Sequence, residues 1–419
     1  MASMPLPSRP LAALAAVPVT LLMALSGCAS STSSSAGGSS GPRAQATSSS
    51  DVLEAELPNP RLAISHESGV WVLDASSLQV VGEAASSGFV RLNPAGDGRH
   101  VLVSSGAEFR ALDLGAWTDT HGDHAHHYST TPTLTDITFP AEEPGHVVTH
   151  DDQTALFADG SGVVDVFDPH DLADGKPTAT RHTSAEPHHG VAVPLARGGL
   201  LVSAGTTERR TGVLVLDEDR RTVASTDDCP GVHGEAVVAG AVVVGCEDGL
   251  VVYRDGTLRK VDSPTAYGRI GNQAGTPLSA VVLGDYKSDP DAELERPERV
   301  SLVDTRTGRL RLVDLGTSYT FRSLGRGPRG TALVLGTDGN LHVIDDETAK
   351  VTTKIPVLQP WTEPQEWQQP RPALFTLGSK AYVTEPAHNK IHTVDLRAQQ
   401  VVATADLPGT PNELSGVVG

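Results

Sequence analysis

The sequence predicts an all-β fold, an eight-bladed β-propeller with seven blades as the alternative, and three observations carry that reading. Val-rich runs of four to six residues bounded by Gly, Asp, Asn and Pro recur along the chain, while helical periodicity is scarce. A strand ending in Asp repeats: Gly69-Val70-Trp71-Val72-Leu73-Asp74, Gly162-Val163-Val164-Asp165-Val166-Phe167-Asp168, Gly212-Val213-Leu214-Val215-Leu216-Asp217, Val300-Ser301-Leu302-Val303-Asp304, Leu341-His342-Val343-Ile344-Asp345 and Ile391-His392-Thr393-Val394-Asp395. Weaker copies end at Asp113 and Asp255, and the closing Asp residues stand about 38 to 55 residues apart, the length of a four-stranded blade.

The first 28 residues are read as a lipoprotein signal and are set aside from the fold. Arg9 precedes an apolar run from Leu11 to Leu25, then Leu25-Ser26-Gly27-Cys28 follows. The run is too short to span a bilayer, which takes about 20 apolar residues. Small residues at 26 and 27 admit a signal peptidase, so Cys28 is the expected lipidation site, anchoring the protein to the outer face of the cell membrane. Residues 29–57, rich in Ser, Gly, Ala and Thr, have no means to bury a core and read as a flexible tether. The propeller domain is then 58–419. Its first repeat copy begins at Arg61 without a preceding strand, and residues 413–419 follow the last copy, so the C-terminus is expected to supply the innermost strand of the first blade. That pairing removes two open sheet edges.

A net charge of −19 excludes nucleic acid and anionic lipid as main partners, which need a basic surface, and suits a cation. Of three cysteines, Cys28 is assigned to lipid, which leaves Cys229 and Cys246 as a disulfide pair in an oxidising compartment. A pair of thiolate zinc ligands is the alternative, but their spacing matches no short zinc motif.

Sixteen histidines are unevenly placed, four of them in His121-Gly122-Asp123-His124-Ala125-His126-His127. This stretch lies in the longest gap between repeat copies and reads as an insertion on a blade loop. His124 and His126 on a flexible backbone can both reach one Zn2+ at about 2.0–2.1 Å, with Asp123 supplying an oxygen. His146, His189 and His233 precede their closing Asp residues by 22, 28 and 22 positions, so they hold equivalent places at the starts of three consecutive blades. First strands line the channel of a propeller, so these imidazoles are expected to converge on one mouth. His188 and His189 are adjacent and point to opposite faces of a strand, so one of them faces the ion unless a turn intervenes. The fourth ligand is expected from the 121–127 loop, from Glu235 or from water. His66, His100, His342, His388 and His392 share no register and read as structural.

A secreted propeller with the His-x-His-His stretch, His188-His189-Gly190 at a strand start and Cys229-Pro230-Gly231-Val232-His233-Gly234-Glu235 resembles the AztD-type zinc metallochaperones over roughly Pro58 to Gly419. The resemblance implies an extracytoplasmic, non-enzymatic propeller that binds Zn2+ and passes it to the solute-binding protein of a zinc ABC importer. It also implies that His124, His126, His127, His188, His189 and His233 are ligands, while the lipid anchor departs from freely diffusing members. Two other classes compete. A metal-dependent hydrolase or lyase would use His233 as ligand and Glu235 as base, and a protein-binding scaffold would leave the histidine stretch unexplained. Copper, nickel and cobalt also suit such ligands, but the three Met residues all fall in the signal segment, which removes the Met that copper often recruits.

Overall fold

The computed structural model describes residues 52–419. The signal segment, Cys28 and the tether as far as residue 51 lie outside the described residues. Strands dominate, and they assemble as eight four-stranded antiparallel sheets and one three-stranded sheet among the described residues. The fold is of the β-propeller type.

Each Asp-ended repeat forms the third strand of one of the eight sheets. The aspartate recurs because its side chain organises the turn into the fourth strand. Asp74 accepts the backbone N–H of Ser76 and Ser77, Asp345 that of Thr348, and Asp395 those of Arg397 and Ala398. Apolar residues on both faces of the inner strands form seams between adjacent sheets. Val193, Val213, Val232, Val242 and Val251 pack where the third, fourth and fifth sheets meet. Leu62 and Trp71 of the first sheet pack against Tyr382 and Ile391 of the eighth. Burying each such side chain contributes about 1.5–3 kcal/mol, so every seam resists being opened.

The C-terminus behaves as expected. Strand Leu414–Val417 pairs antiparallel with Arg61–His66, placing Val417 opposite Arg61 and Leu414 opposite Ile64. Most successive sheets touch through their first strands, as where Pro144–His150 meets Ala192–Leu195, and Leu374–Leu377 of the eighth sheet touches Leu414–Val417. A buried ion pair ties the seventh sheet to the start of this closing strand: Arg322, just before strand Leu324–Arg326, meets the carboxylate of Glu413, with the Asn412 carbonyl accepting from the same guanidinium.

Two features differ from expectation. Residues 53–55, placed in the tether by composition, form strand Leu53–Ala55, which pairs with His124–Ser129. The 121–127 stretch is a β-hairpin rather than an irregular loop. Strands Ala116–His121 and His124–Ser129 pair in register through the two-residue turn Gly122-Asp123, where Gly122 takes the left-handed φ of 63°.

Candidate metal centre

Three consecutive sheets bring His146, His189 and His233 together. His146 lies on the first strand of the third sheet, Pro144–His150; His233 opens the first strand of the fifth, His233–Val238; His189 stands just before that of the fourth, Ala192–Leu195. Ring centroids are 5.2 Å apart for His146 and His189, 5.8 Å for His146 and His233, and 5.0 Å for His189 and His233. One ring nitrogen of each lies within 4.8 Å of the others. The group opens into a cavity of about 720 Å³ at the mouth of the channel.

Local backbone features aim the rings. The pairing register shifts between Pro144 and Val147 and again between His233 and Glu235, so both histidines sit at bulges, the second made possible by Gly234 at φ 70°. Gly145 gives Asp159 its room: a Cβ there would stand 2.3 Å from Asp159 Oδ1.

Every Nδ1 in the trio already has a partner. His189 Nδ1 is 2.5 Å from Asp159 Oδ2, and His233 Nδ1 donates to the Gly271 carbonyl at 2.5 Å. His146 Nδ1 is 3.0 Å from Glu235 Oε2, a close ion-pair contact in which Oε2 lacks an aligned hydrogen bond. With Nδ1 so occupied, Nε2 is the free ligand atom of each ring. Zinc-binding imidazoles are held in this way, the outer partner fixing the tautomer and raising basicity. Three nitrogens form an open tripod, with a fourth position for water or an incoming ligand.

The electrostatics of the trio are uneven. Burial opposes protonation of His146, but the Glu235 carboxylate outweighs it and holds this imidazole above its ordinary value. Burial, reinforced by the positive neighbours His146 and Arg269, pushes His233 well below it, so His233 is neutral and ready to donate at physiological pH.

A second histidine group lies on the hairpin. His121, His124 and His126 project from one face, with ring centroids 4.5 to 5.1 Å apart, and each offers a nitrogen within 4.8 Å of the others. Glu54 Oε1 is 2.6 Å from His126 Nδ1, and Asp123 Oδ1 is 3.2 Å from His124 Nδ1. His121 was not among the expected ligands. It pairs directly across from His124, a neighbour that appears only once the stretch is folded as a hairpin.

Three expectations are corrected. His127 points to the other face of its strand, because alternation separates it from His126, and its Nδ1 meets Thr118 Oγ1 at 2.8 Å. His188 is buried and stands outside the trio, 2.9 Å from both the Glu186 carbonyl and Ser203 Oγ and packed edge-on against Phe157. The 121–127 segment supplies no fourth ligand to the channel trio. It leaves the second sheet from the end of its third strand, whereas the trio sits at the starts of first strands, which is the opposite end of the sheets. Its contacts agree, since Arg99 stacks on Trp117 and Thr118 Oγ1 donates to the Gly419 carbonyl at 2.6 Å.

Fold and site together define a β-propeller that presents a histidine tripod at the starts of its inner strands. No family model matches the chain. It is similar to the zinc chaperone AztD of Citrobacter koseri, 26% identical over 303 residues, which is 71% of each chain. The crystal structure of Citrobacter koseri AztD superposes with a TM-score of 0.75 at 24% identity, covering 87% of this chain and 99% of that one; apo AztD matches equally, covering 100% of that chain. The dihydro-heme d1 dehydrogenase NirN shares only the fold, with a TM-score of 0.55 at 12% identity over 87% of this chain and 76% of its own. The disulfide between Cys229 and Cys246 is formed, with Cα atoms 5.0 Å apart. It ties the segment entering the His233 strand to the end of the next strand.

Proposed function

We propose that this protein is an extracytoplasmic zinc metallochaperone: an eight-bladed propeller closed by its C-terminal strand, tethered through lipid on Cys28, that binds Zn2+ at His146, His189 and His233 and hands it to the solute-binding protein of a zinc ABC importer. The carrying observation is that all three channel-mouth imidazoles have Nδ1 engaged and Nε2 free. That arrangement suits a neutral nitrogen tripod for Zn2+ and leaves one coordination position open to an acceptor. The hairpin trio His121, His124 and His126 is a second, more exposed zinc site. Similarity to a zinc chaperone agrees with binding and transfer rather than turnover.

The test is metal analysis of the protein purified without a histidine tag, followed by zinc titration of H146A, H189A and H233A. Tight binding should be lost in each variant. Retention by all three variants of zinc that a mild chelator does not remove would overturn the tripod as the tight site.

A further inference from the structure

The wall of the channel cavity beside the histidine tripod carries two cations whose side chains, among the described residues, make no hydrogen bond or ion pair. Arg269 and Lys287 form an antiparallel bridge, exchanging backbone hydrogen bonds of 2.9 and 3.0 Å. Residues so paired put their side chains on the same side with Cβ atoms about 5.5 Å apart or less. Both line the cavity. Among the described residues neither the guanidinium nor the ammonium has a hydrogen bond, and neither has a carboxylate within ion-pair distance. Of the nearby acids, Asp159 holds His189 and Glu235 faces His146, while buried Asp285 accepts the Gly271 and Asn272 N–H groups through Oδ1 and feels both cations only at longer range, outside ion-pair distance.

The guanidinium also lies close to the tripod. It stands 3.0 Å from where a Cβ on Gly271 would be, and Gly271 is the residue whose carbonyl holds His233. Two like charges set side by side repel each other, and the repulsion is relieved when an anion sits between them.

We propose that Arg269 and Lys287 form a carboxylate subsite that steers an incoming carboxylate into the open fourth position on the tripod-bound metal. This rests on the zinc-site reading above and names the chemistry that completes it. The carboxylate comes either from a small organic acid, for which the cavity has room, or from an Asp or Glu side chain of a docked acceptor. In both cases the two oxygens divide the work, one to the metal and one to the cations.

Cobalt(II) makes the test direct, because its visible spectrum reports the fourth ligand. The protein carrying H121A, H124A and H126A is loaded with cobalt and titrated with acetate, and separately with a capped Gly-Glu-Gly peptide. Both should perturb the spectrum, and R269Q/K287Q should weaken the response at least about tenfold with cobalt stoichiometry unchanged. R269K alone should restore most of it relative to R269Q. Tighter binding of acetate assigns the subsite to a free acid, and tighter binding of the peptide assigns it to a protein side chain. Identical titrations in the double variant and the parent, with cobalt bound one per chain, overturn the subsite alone. Failure of the parent to bind cobalt overturns the tripod and the subsite together.

Discussion

Glu235 reaches across the fourth sheet: it lies on the inner strand of the fifth, yet its Oε2 is 3.0 Å from Nδ1 of His146 on the third. Two residues before it on the same strand is His233. One strand therefore supplies one imidazole of the tripod and the carboxylate partner of another, which couples the geometry of the tripod to the packing of three sheets.

From that coupling, Glu235→Gln is expected to lower zinc affinity at the channel site by about 10- to 100-fold without changing stoichiometry. Titration of the metal-free protein by NMR gives an independent readout. Because the carboxylate is what lifts His146 against burial, its removal should move the His146 midpoint downward. An unchanged midpoint would show that Glu235 does not govern this imidazole.

The Cys229–Cys246 link closes a loop of 17 residues whose first cysteine is four positions from His233. In the chain-entropy view the crosslink contributes about 3 kcal/mol. Replacing both cysteines by Ala should therefore lower the denaturant midpoint of the metal-free protein and weaken zinc binding at the tripod while sparing the hairpin. Equal stability of the oxidised protein and the double variant would count against the crosslink as a brace.

Acid sensitivity should have an identifiable source at Asp97. Burial would raise this carboxyl, but His100, 2.5 Å away, and the N–H groups of Arg99 and His100 hold it below 3.8. A group depressed on folding adds stability that is complete above its unfolded value and is lost as pH falls through the folded one. Asp97→Asn should thus cost about 1.5–3 kcal/mol near neutrality, with the difference from wild type shrinking below pH 3.8. A constant difference across pH in urea melts would point to packing instead of charge.

Much of this architecture is legible in the chain because the repeat is marked by a residue with a job. An Asp that organises each third-to-fourth-strand turn recurs whatever the apolar residues around it, and counting back from it aligns His146, His189 and His233. Partners that cross sheets are not legible, since Asp159 meets His189 from 30 residues away and Gly271 meets His233 from 38. The error at His127 and the omission of His121 share one cause. Reading 121–127 as a loop discards strand parity, although Gly122-Asp123 between two alternating runs is itself a hairpin signal.

Because the hairpin springs from the far end of the second sheet, its trio and the channel trio cannot exchange ligands directly. The two groups should therefore behave as independent sites, one open to solvent and one set in the cavity. The triple variant H121A/H124A/H126A is expected to bind one zinc fewer, with affinity and release rate at the channel site within about twofold of wild type, the level at which distant, non-contacting sites usually add. Conversely, H189A/H233A should keep the hairpin zinc, which a mild chelator then removes quickly because its ligands are exposed. Stopped-flow transfer to a chromophoric chelator separates the two as fast and slow phases, and each variant should delete one phase. If the hairpin variant instead slows or weakens the channel phase, the sites communicate through the sheet and independence is wrong.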